Sequence, residues 1–169
     1  MKNTQIFLTH PWKAVCDKHS KVLILGTFPS PASREYGFYY GHSQNIFWLT
    51  LACVLELPCP QDKNSKIKFL IDNHIALWDV LRSCEIDGAS DESIKNPTPN
   101  SFKPLIKNSE ISAIFTTGKK ATELFAKLCA DEVGMEAIYL PSTSPANRAS
   151  HKKANFLERW KVIKSFLDK

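Results

Sequence analysis

Four short apolar runs are spaced along the chain and predict four β-strands. They cover residues 22–25 (VLIL), 75–80 (IALWDV), 111–116 (ISAIFT) and 137–140 (AIYL). Continuous apolar runs of this length are typical of strands that are buried on both faces, as in a parallel sheet. The pattern therefore predicts a buried, mostly parallel sheet of four strands.

Apolar residues at helical spacing separate these runs and predict helices between the strands. One stripe begins at residue 45 and stops before a proline, and it consists of Ile46, Leu49, Cys53 and Leu57. Another follows a glycine and consists of Ala121, Leu124, Phe125 and Leu128. The tail from residue 151 to 169 carries Phe156, Trp160, Ile163 and Leu167 on one helical face. Strands that alternate with helices predict an α/β fold, here a three-layer α/β/α arrangement around a mostly parallel four-stranded central sheet.

The segment 84–100 is polar and contains Pro97 and Pro99, so it is predicted to be a long loop inside the domain. The chain has 169 residues, of which 43% are hydrophobic. This length and composition suit one domain with one core over residues 1–169.

Charge and cysteine content narrow the functional classes. The formal net charge is +5 with a sequence pI of about 8.9, which permits a polyanionic partner without identifying one. None of the five cysteines forms a C-x-x-C pair, so zinc knuckles and iron–sulfur clusters are not expected. The first 20 residues lack the apolar stretch of a signal peptide, and no run reaches the roughly 20 residues of a membrane span. We expect a cytoplasmic protein.

Two segments that leave predicted strand ends carry the candidate chemistry, because ligands bind beyond the carboxyl ends of parallel strands. Residues 26–48 read GTFPSPASREYGFYYGHSQNIFW, whose aromatic rings either stack on a base or pack in the core. Residues 140–147 read LPSTSPAN and precede a basic run. Their hydroxyl and backbone N–H groups suit phosphate, although the same composition also fits an ordinary turn.

Together these segments resemble the two motifs of the uracil-DNA glycosylase superfamily, and most closely those of the hypoxanthine-DNA (deoxyinosine) glycosylase family. The resemblance covers roughly residues 22–155 and lies in GTFPS (26–30), FYYGH (38–42), QN (44–45), FW (47–48), ALWDV (76–80), PN (99–100) and PSTSPAN (141–147). Many superfamily members carry Asp or Asn where this chain has Phe28, and the hypoxanthine family compensates with an Asn, here Asn45. A His at the start of motif two is also absent, with Ser142 nearest. Both departures favour the hypoxanthine family.

The resemblance implies hydrolysis of the N-glycosidic bond of a deaminated base in DNA, with hypoxanthine favoured and with no cofactor or metal. In this interpretation Asn45 is catalytic. The base-binding residues are Thr27, Phe28, Tyr39, Tyr40 and His42, and the DNA-binding residues are Ser142, Ser144, Asn147, Arg148 and Lys152. The expected partner is DNA, and the expected state is a monomer.

Two alternatives stay open, a uracil (G/U mismatch) glycosylase and a catalytically weak DNA-binding member of the same fold. His42 either protonates a purine leaving group or is a hydrogen-bonded loop histidine. Asp79 either orients another side chain or caps a strand end. Lys119 and Lys120 follow a glycine at a helix start and fit phosphate or solvent better than a Schiff base, so strand cleavage is not expected.

Overall fold

The computed structural model describes residues 4–168 of the chain. Its strands are β1 (Ile6–Thr9), β2 (Val22–Gly26), β3 (Ile75–Asp79), β4 (Leu81–Asp87), β5 (Ser90–Pro99), β6 (Ala113–Thr117) and β7 (Ala137–Leu140). Its α-helices are α1 (Pro31–Tyr36), α2 (Phe47–Leu55), α3 (Lys63–Asp72), α4 (Lys103–Lys107), α5 (Lys119–Leu128), α6 (Ala130–Val133), α7 (Arg148–His151), α8 (Phe156–Trp160) and α9 (Val162–Leu167). A 3₁₀ turn covers Pro145–Asn147.

The central sheet has the strand order β3-β2-β6-β7, and every pairing in it is parallel. All residues of the two interior strands, β2 and β6, are buried. This explains why both strands read as continuous apolar runs rather than as alternating patterns. The predicted α/β fold with a four-stranded parallel sheet flanked by helices is confirmed, although the third strand begins at residue 113 instead of 111.

Alternate residues of β2 enter two separate cores. Val22 and Ile24 pack into one core with α2, α8 and α9, whereas Leu23 and Leu25 pack into the other with α5 and β4. Since successive side chains of a strand point to opposite faces, the sheet is covered on both sides. The covering layers leave only the ends of the parallel strands available for a ligand.

The predicted loop at 84–100 is wrong, because most of it forms an antiparallel hairpin of β4 and β5. With β1 it makes a second sheet of order β1-β4-β5. β5 is an edge strand with mostly exposed residues and irregular register. An edge strand needs neither apolar alternation nor a full set of N–H donors, which is why polar residues and two prolines are compatible with it.

The helix after residue 45 exists, but its predicted buried face is wrong. The helix starts at Phe47, and Leu49 and Cys53 of the predicted stripe are exposed. The large rings of Phe47 and Trp48 occupy the core instead, together with Leu51. Aromatic side chains bury more apolar area than the residues of the predicted stripe, so they decide which face turns inward.

The tail is helical in three short pieces, α7, α8 and α9, rather than in one helix. Phe156, Trp160 and Ile163 are buried as predicted. The indole Nε1–H of Trp160 donates to the carbonyl of Pro141 at 3.0 Å, which ties the tail to the end of β7. Within residues 4–168, no helix combines the length and the apolar character that crossing a membrane requires.

Candidate active site

A cavity of about 310 Å³ lies at the carboxyl ends of β2, β3 and β6. It is lined by the segment after β2, by the loop after β7 and by the β4–β5 hairpin. Eight predicted site residues meet there, namely Thr27, Phe28, Tyr39, Tyr40, His42, Asn45, Ser142 and Ser144. The other three predicted residues, Asn147, Arg148 and Lys152, do not line it.

Gly26 ends β2 at the floor of the cavity, where it pairs with Asp79 of β3. A Cβ at Gly26 would lie 2.6 Å from Asp79 Oδ1 and 3.0 Å from the Tyr40 hydroxyl oxygen. The first distance is shorter than carbon–oxygen contacts allow, and the second is tighter than most such contacts. The glycine is therefore required for the approach of the carboxylate and the phenol, and not for a turn.

Asp79 is buried and bound by His10, which the sequence analysis did not identify. Nε2–H of His10 donates to Asp79 Oδ2 at 2.7 Å, and the two side chains are 2% and 6% exposed. On the other side of the ring, Nδ1 lies 2.9 Å from the carbonyl oxygen of Trp12 and 3.2 Å from its nitrogen. Contacts at both ring nitrogens fix the imidazole, which in turn fixes the carboxylate.

Tyr39 and Tyr40 both border the cavity, but they contribute differently. Tyr39 is 2% exposed and donates to the carbonyl of Lys13 at 3.1 Å, so it shapes the wall from within the core. Tyr40 has a positive φ of 54° and stacks on Phe47 with ring centroids 3.9 Å apart. Burial, followed by the nearby charge of Asp79, raises the pKa of both phenols. Both hydroxyls therefore stay protonated, and the Tyr40 hydroxyl shares a hydrogen bond with Thr117 Oγ1 at 3.2 Å.

Asn45 borders the cavity just before α2. Its Oδ1 accepts a hydrogen bond from the backbone N–H of Phe47 at 2.9 Å. The amide oxygen is therefore used at the helix start, and the Nδ2 hydrogens are left for a water molecule or a ligand. His42 lies three residues earlier, and its Nδ1 accepts from the backbone N–H of Gln44 at 3.0 Å.

Phe28 is half-buried and lines the cavity next to Thr27. The imidazole of His10 contacts its ring edge to face, with centroids 5.9 Å apart. Phe28 also packs against the core that contains Leu25. A ring held in this way has one side in the protein and another toward the cavity, which suits stacking on a planar base.

The loop after β7 is held by hydrogen bonds to its own backbone. Nδ2 of Asn147 and Nε2 of His151 both contact the carbonyl oxygen of Ser142, at 2.9 and 3.0 Å. Ser142 Oγ accepts from the N–H of Ser144. Asn147 therefore shapes the loop, while Ser142 and Ser144 form part of the cavity wall. The loop also contacts the start of α2, because Ile46 N–H donates to its Thr143 carbonyl.

Arg148 and Lys152 lie outside the cavity and are exposed. Arg148 Nη2 donates to Gln44 Oε1 at 2.5 Å, which links the loop after β7 to the loop before α2. Lys152 directly follows α7 and is exposed. Neither position tests the predicted DNA contact, which stays a prediction.

The hairpin supplies cavity residues that the sequence interpretation missed. Ile86, Ala89 and Asp91 line the cavity, although their segment was predicted to be a long loop inside the domain and was assigned no site residue. His10 was missed because an isolated histidine near the N-terminus carries no motif. The juxtaposition of His10 and Asp79, 69 residues apart, depends on the pairing of β1 with β4 and has no local signal.

Comparison with known proteins agrees with this geometry. The family model of the uracil DNA glycosylase superfamily matches residues 13–164. A protein of Methanosarcina barkeri named hypoxanthine DNA glycosylase is 34% identical over 154 residues, which cover 87% of this chain and 94% of that protein. One of the same name from Methanosarcina acetivorans is 33% identical over 152 residues, with coverages of 89% and 94%.

A solved structure is also similar. The solution NMR structure of a candidate uracil DNA glycosylase from Methanosarcina acetivorans superimposes with a TM-score of 0.81 at 28% identity. The match covers 97% of this chain and 100% of that one. The family model, the two relatives and the similar fold therefore agree, and the chain belongs to the uracil DNA glycosylase superfamily.

Proposed function

We propose that this protein is a monofunctional DNA glycosylase that removes hypoxanthine from DNA. The observation that carries the proposal is the carboxylate of Asp79, which is fixed by His10 at the floor of the cavity. A carboxylate only accepts hydrogen bonds. It therefore matches a base whose ring nitrogen carries a hydrogen.

Deamination creates this ring N–H group. Adenine has a lone pair at N1, whereas hypoxanthine has an N–H there, and cytosine and uracil differ in the same way at N3. A fixed acceptor attracts the deaminated base and repels the normal one. The names of the two Methanosarcina relatives favour hypoxanthine over uracil as the substrate.

The remaining residues fit hydrolysis of the bond between base and sugar. The nucleotide must leave the helix to expose C1′ of the sugar. Phe28 would stack on the flipped base, and Nδ2 of Asn45 would orient the attacking water or bind the base edge. An amide is not a base at neutral pH, so most of the acceleration would come from placement and electrostatics. Among residues 4–168 no lysine lines the cavity as a covalent amine nucleophile, so we expect the strand to stay intact.

DNA would be held by Ser142, Ser144 and the basic residues beyond them, with the protein acting as a monomer in the cytoplasm. Asn147 would act indirectly, by keeping the loop after β7 in shape. The hydroxyl oxygen of Thr143 is buried without a hydrogen-bond partner among residues 4–168, and it lies between these serines.

The test is single-turnover excision from oligonucleotides that carry one hypoxanthine, uracil, xanthine, adenine or guanine. Products are analysed with and without alkali, which cleaves abasic sites. We expect abasic sites at hypoxanthine, no reaction at adenine, and no strand break before alkali. Guanine also has an N–H at N1, so its reaction tests whether the cavity excludes the 2-amino group of that base. Absence of abasic sites with every deaminated base would leave the non-catalytic alternative.

A pair of variants tests whether the carboxylate of Asp79 selects the base. Asp79→Asn keeps the shape but turns an NH₂ group toward the base when its oxygen stays on His10. We expect hypoxanthine excision to fall by roughly 10²-fold, as for other lost electrostatic contacts in active sites. Asp87→Asn makes the same change at an exposed residue at the end of β4 and should keep the wild-type rate. Equal rates for both variants would remove Asp79 from base selection.

A further inference from the structure

The hairpin wall of the cavity carries a second carboxyl group, that of Asp91 on β5. Asp91 follows the turn between β4 and β5, is exposed to water and lines the cavity. The two carboxyl groups of the cavity thus come from different sheets, Asp79 from the parallel sheet and Asp91 from the antiparallel one.

Their surroundings differ in a way that separates their chemistry. Asp79 accepts a hydrogen bond from His10, and no such partner is seen for the Asp91 carboxyl within residues 4–168. Loss of hydration in the concave wall raises the pKa of Asp91 to about 6. A carboxyl group in the cavity wall whose pKa is raised toward neutrality can still hold its proton when the base departs, and can then act as an acid.

We propose that Asp91 is the general acid that protonates the departing purine. This inference rests on the proposed function and assigns a further residue to the same reaction. As the bond between C1′ and the base nitrogen breaks, its electron pair stays on the base, and the carboxylic acid of Asp91 gives its proton to a ring nitrogen. The oxygen of water bonds to C1′, and the proton it loses passes to solvent or returns to the Asp91 carboxylate. The base leaves as a neutral molecule, and C1′ of the sugar keeps a hydroxyl group from the water.

The chemistry of the leaving group explains why such an acid is useful. A purine that departs without a proton carries a negative charge delocalised over its ring nitrogens, and a proton on one of these nitrogens neutralises that charge. Uracil spreads the same charge over two carbonyl oxygens, which hydroxyl and N–H donors stabilise. General acid catalysis by a positioned group contributes about 10²–10⁴-fold. An acid in the wall therefore benefits hypoxanthine more than uracil.

The charged groups around Asp91 set the pH range in which it acts. On α5, Lys120 lowers the pKa of Asp91, while Asp79 of β3 and its own neighbour Glu92 raise it. The charge of Asp91 in turn helps to raise the pKa of the Cys84 thiol on β4 to about 11, with burial as the larger cause. Because the protonated form is the active one, the single-turnover rate should fall tenfold for each pH unit above about 6.

The first test is the pH profile of hypoxanthine excision by Asp91→Asn, measured in single turnover with saturating protein. We expect a loss of about 10²–10⁴-fold at low pH and a profile that no longer falls on the alkaline side. Glu92→Gln changes the adjacent carboxyl, which is exposed and does not line the cavity. It should keep the wild-type rate at low pH. Thermal unfolding of both variants shows whether the fold is intact.

Lys120→Met is the second test, and it does not touch the proposed acid. Removing the cation that favours the carboxylate raises the pKa of Asp91, so the alkaline decline should move to higher pH. If Asp91→Asn stays within about threefold of wild type, or if its profile keeps the alkaline decline, the acid lies elsewhere. That result would leave the proposed function standing whenever the wild-type protein excises hypoxanthine. Failure of the wild-type protein would instead remove the proposed function.

Discussion

His10 and Asp79 lie 69 residues apart in the chain and join at 2.7 Å beneath the cavity, with both side chains nearly excluded from water. Removal of one partner of a buried pair leaves an uncompensated charge, which costs about 3–5 kcal/mol. We therefore expect His10→Ala to lower the free energy of unfolding by about this amount, measured by urea denaturation.

His19→Ala is the matched control. Its ring pairs with Glu110 at 3.5 Å, but both side chains are more than half exposed. Exposed ion pairs contribute about 0–1 kcal/mol, so this variant should unfold close to the wild-type midpoint. Similar losses in the two variants would mean that burial does not distinguish the pairs.

Asn45 can be tested by separating its two hydrogen-bonding groups. Asn45→Asp keeps an oxygen for the N–H of Phe47 and so preserves the start of α2, but it removes the Nδ2 donor. We expect wild-type thermal stability with at least roughly 100-fold slower excision. Asn64→Ala, an exposed position on α3, should change neither quantity. Fast excision by Asn45→Asp would show that only the helix start depends on this residue.

Phe28 should act through its ring. Phe28→Ala is expected to weaken binding of lesion DNA by about 1–3 kcal/mol, the usual contribution of a base stacked on an aromatic ring. Phe28→Leu keeps apolar volume against the core and should lose less stability, but it cannot stack. Titration of a fluorescent oligonucleotide, together with melting temperatures, separates the effects. Losses of binding that follow the melting temperatures in both variants would make Phe28 a core residue only.

The loop after β7 should contribute to DNA affinity without determining which base is preferred. Lys152→Ala should flatten the log–log salt dependence of binding by roughly one unit if the lysine reaches a phosphate. Ser144→Ala should weaken binding with little change in slope, because a hydroxyl releases no counterion. Lys127→Ala is the control, since this lysine lies about 12 Å along α5 from the cavity end of that helix. A changed preference for hypoxanthine over uracil in Ser144→Ala would place the loop in the base pocket.

The sequence predicted those features whose signal lies within one continuous segment of the chain. The strand containing Val22 was predictable because burial on both faces leaves only apolar residues. The residues after it, from Thr27 to Asn45, were predictable because one contiguous segment forms much of the cavity. His10 and Asp91 were not, because pairing in the second sheet brings His10 to Asp79 and Asp91 to the cavity. Pairing of that kind depends on distant partners, and the polar edge strand β5 shows no periodicity that would reveal it.

The β4–β5 hairpin enters the chain between two strands of the parallel sheet, β3 and β6, and pairs with neither of them. The parallel sheet can therefore stay as it is while the hairpin changes in length or composition. An engineer who wished to adapt the cavity to a larger or differently charged base could exchange residues 86–91 as a cassette. The same separation means that substrate range and scaffold can diverge independently between related proteins, with the floor of the cavity retained and its wall replaced.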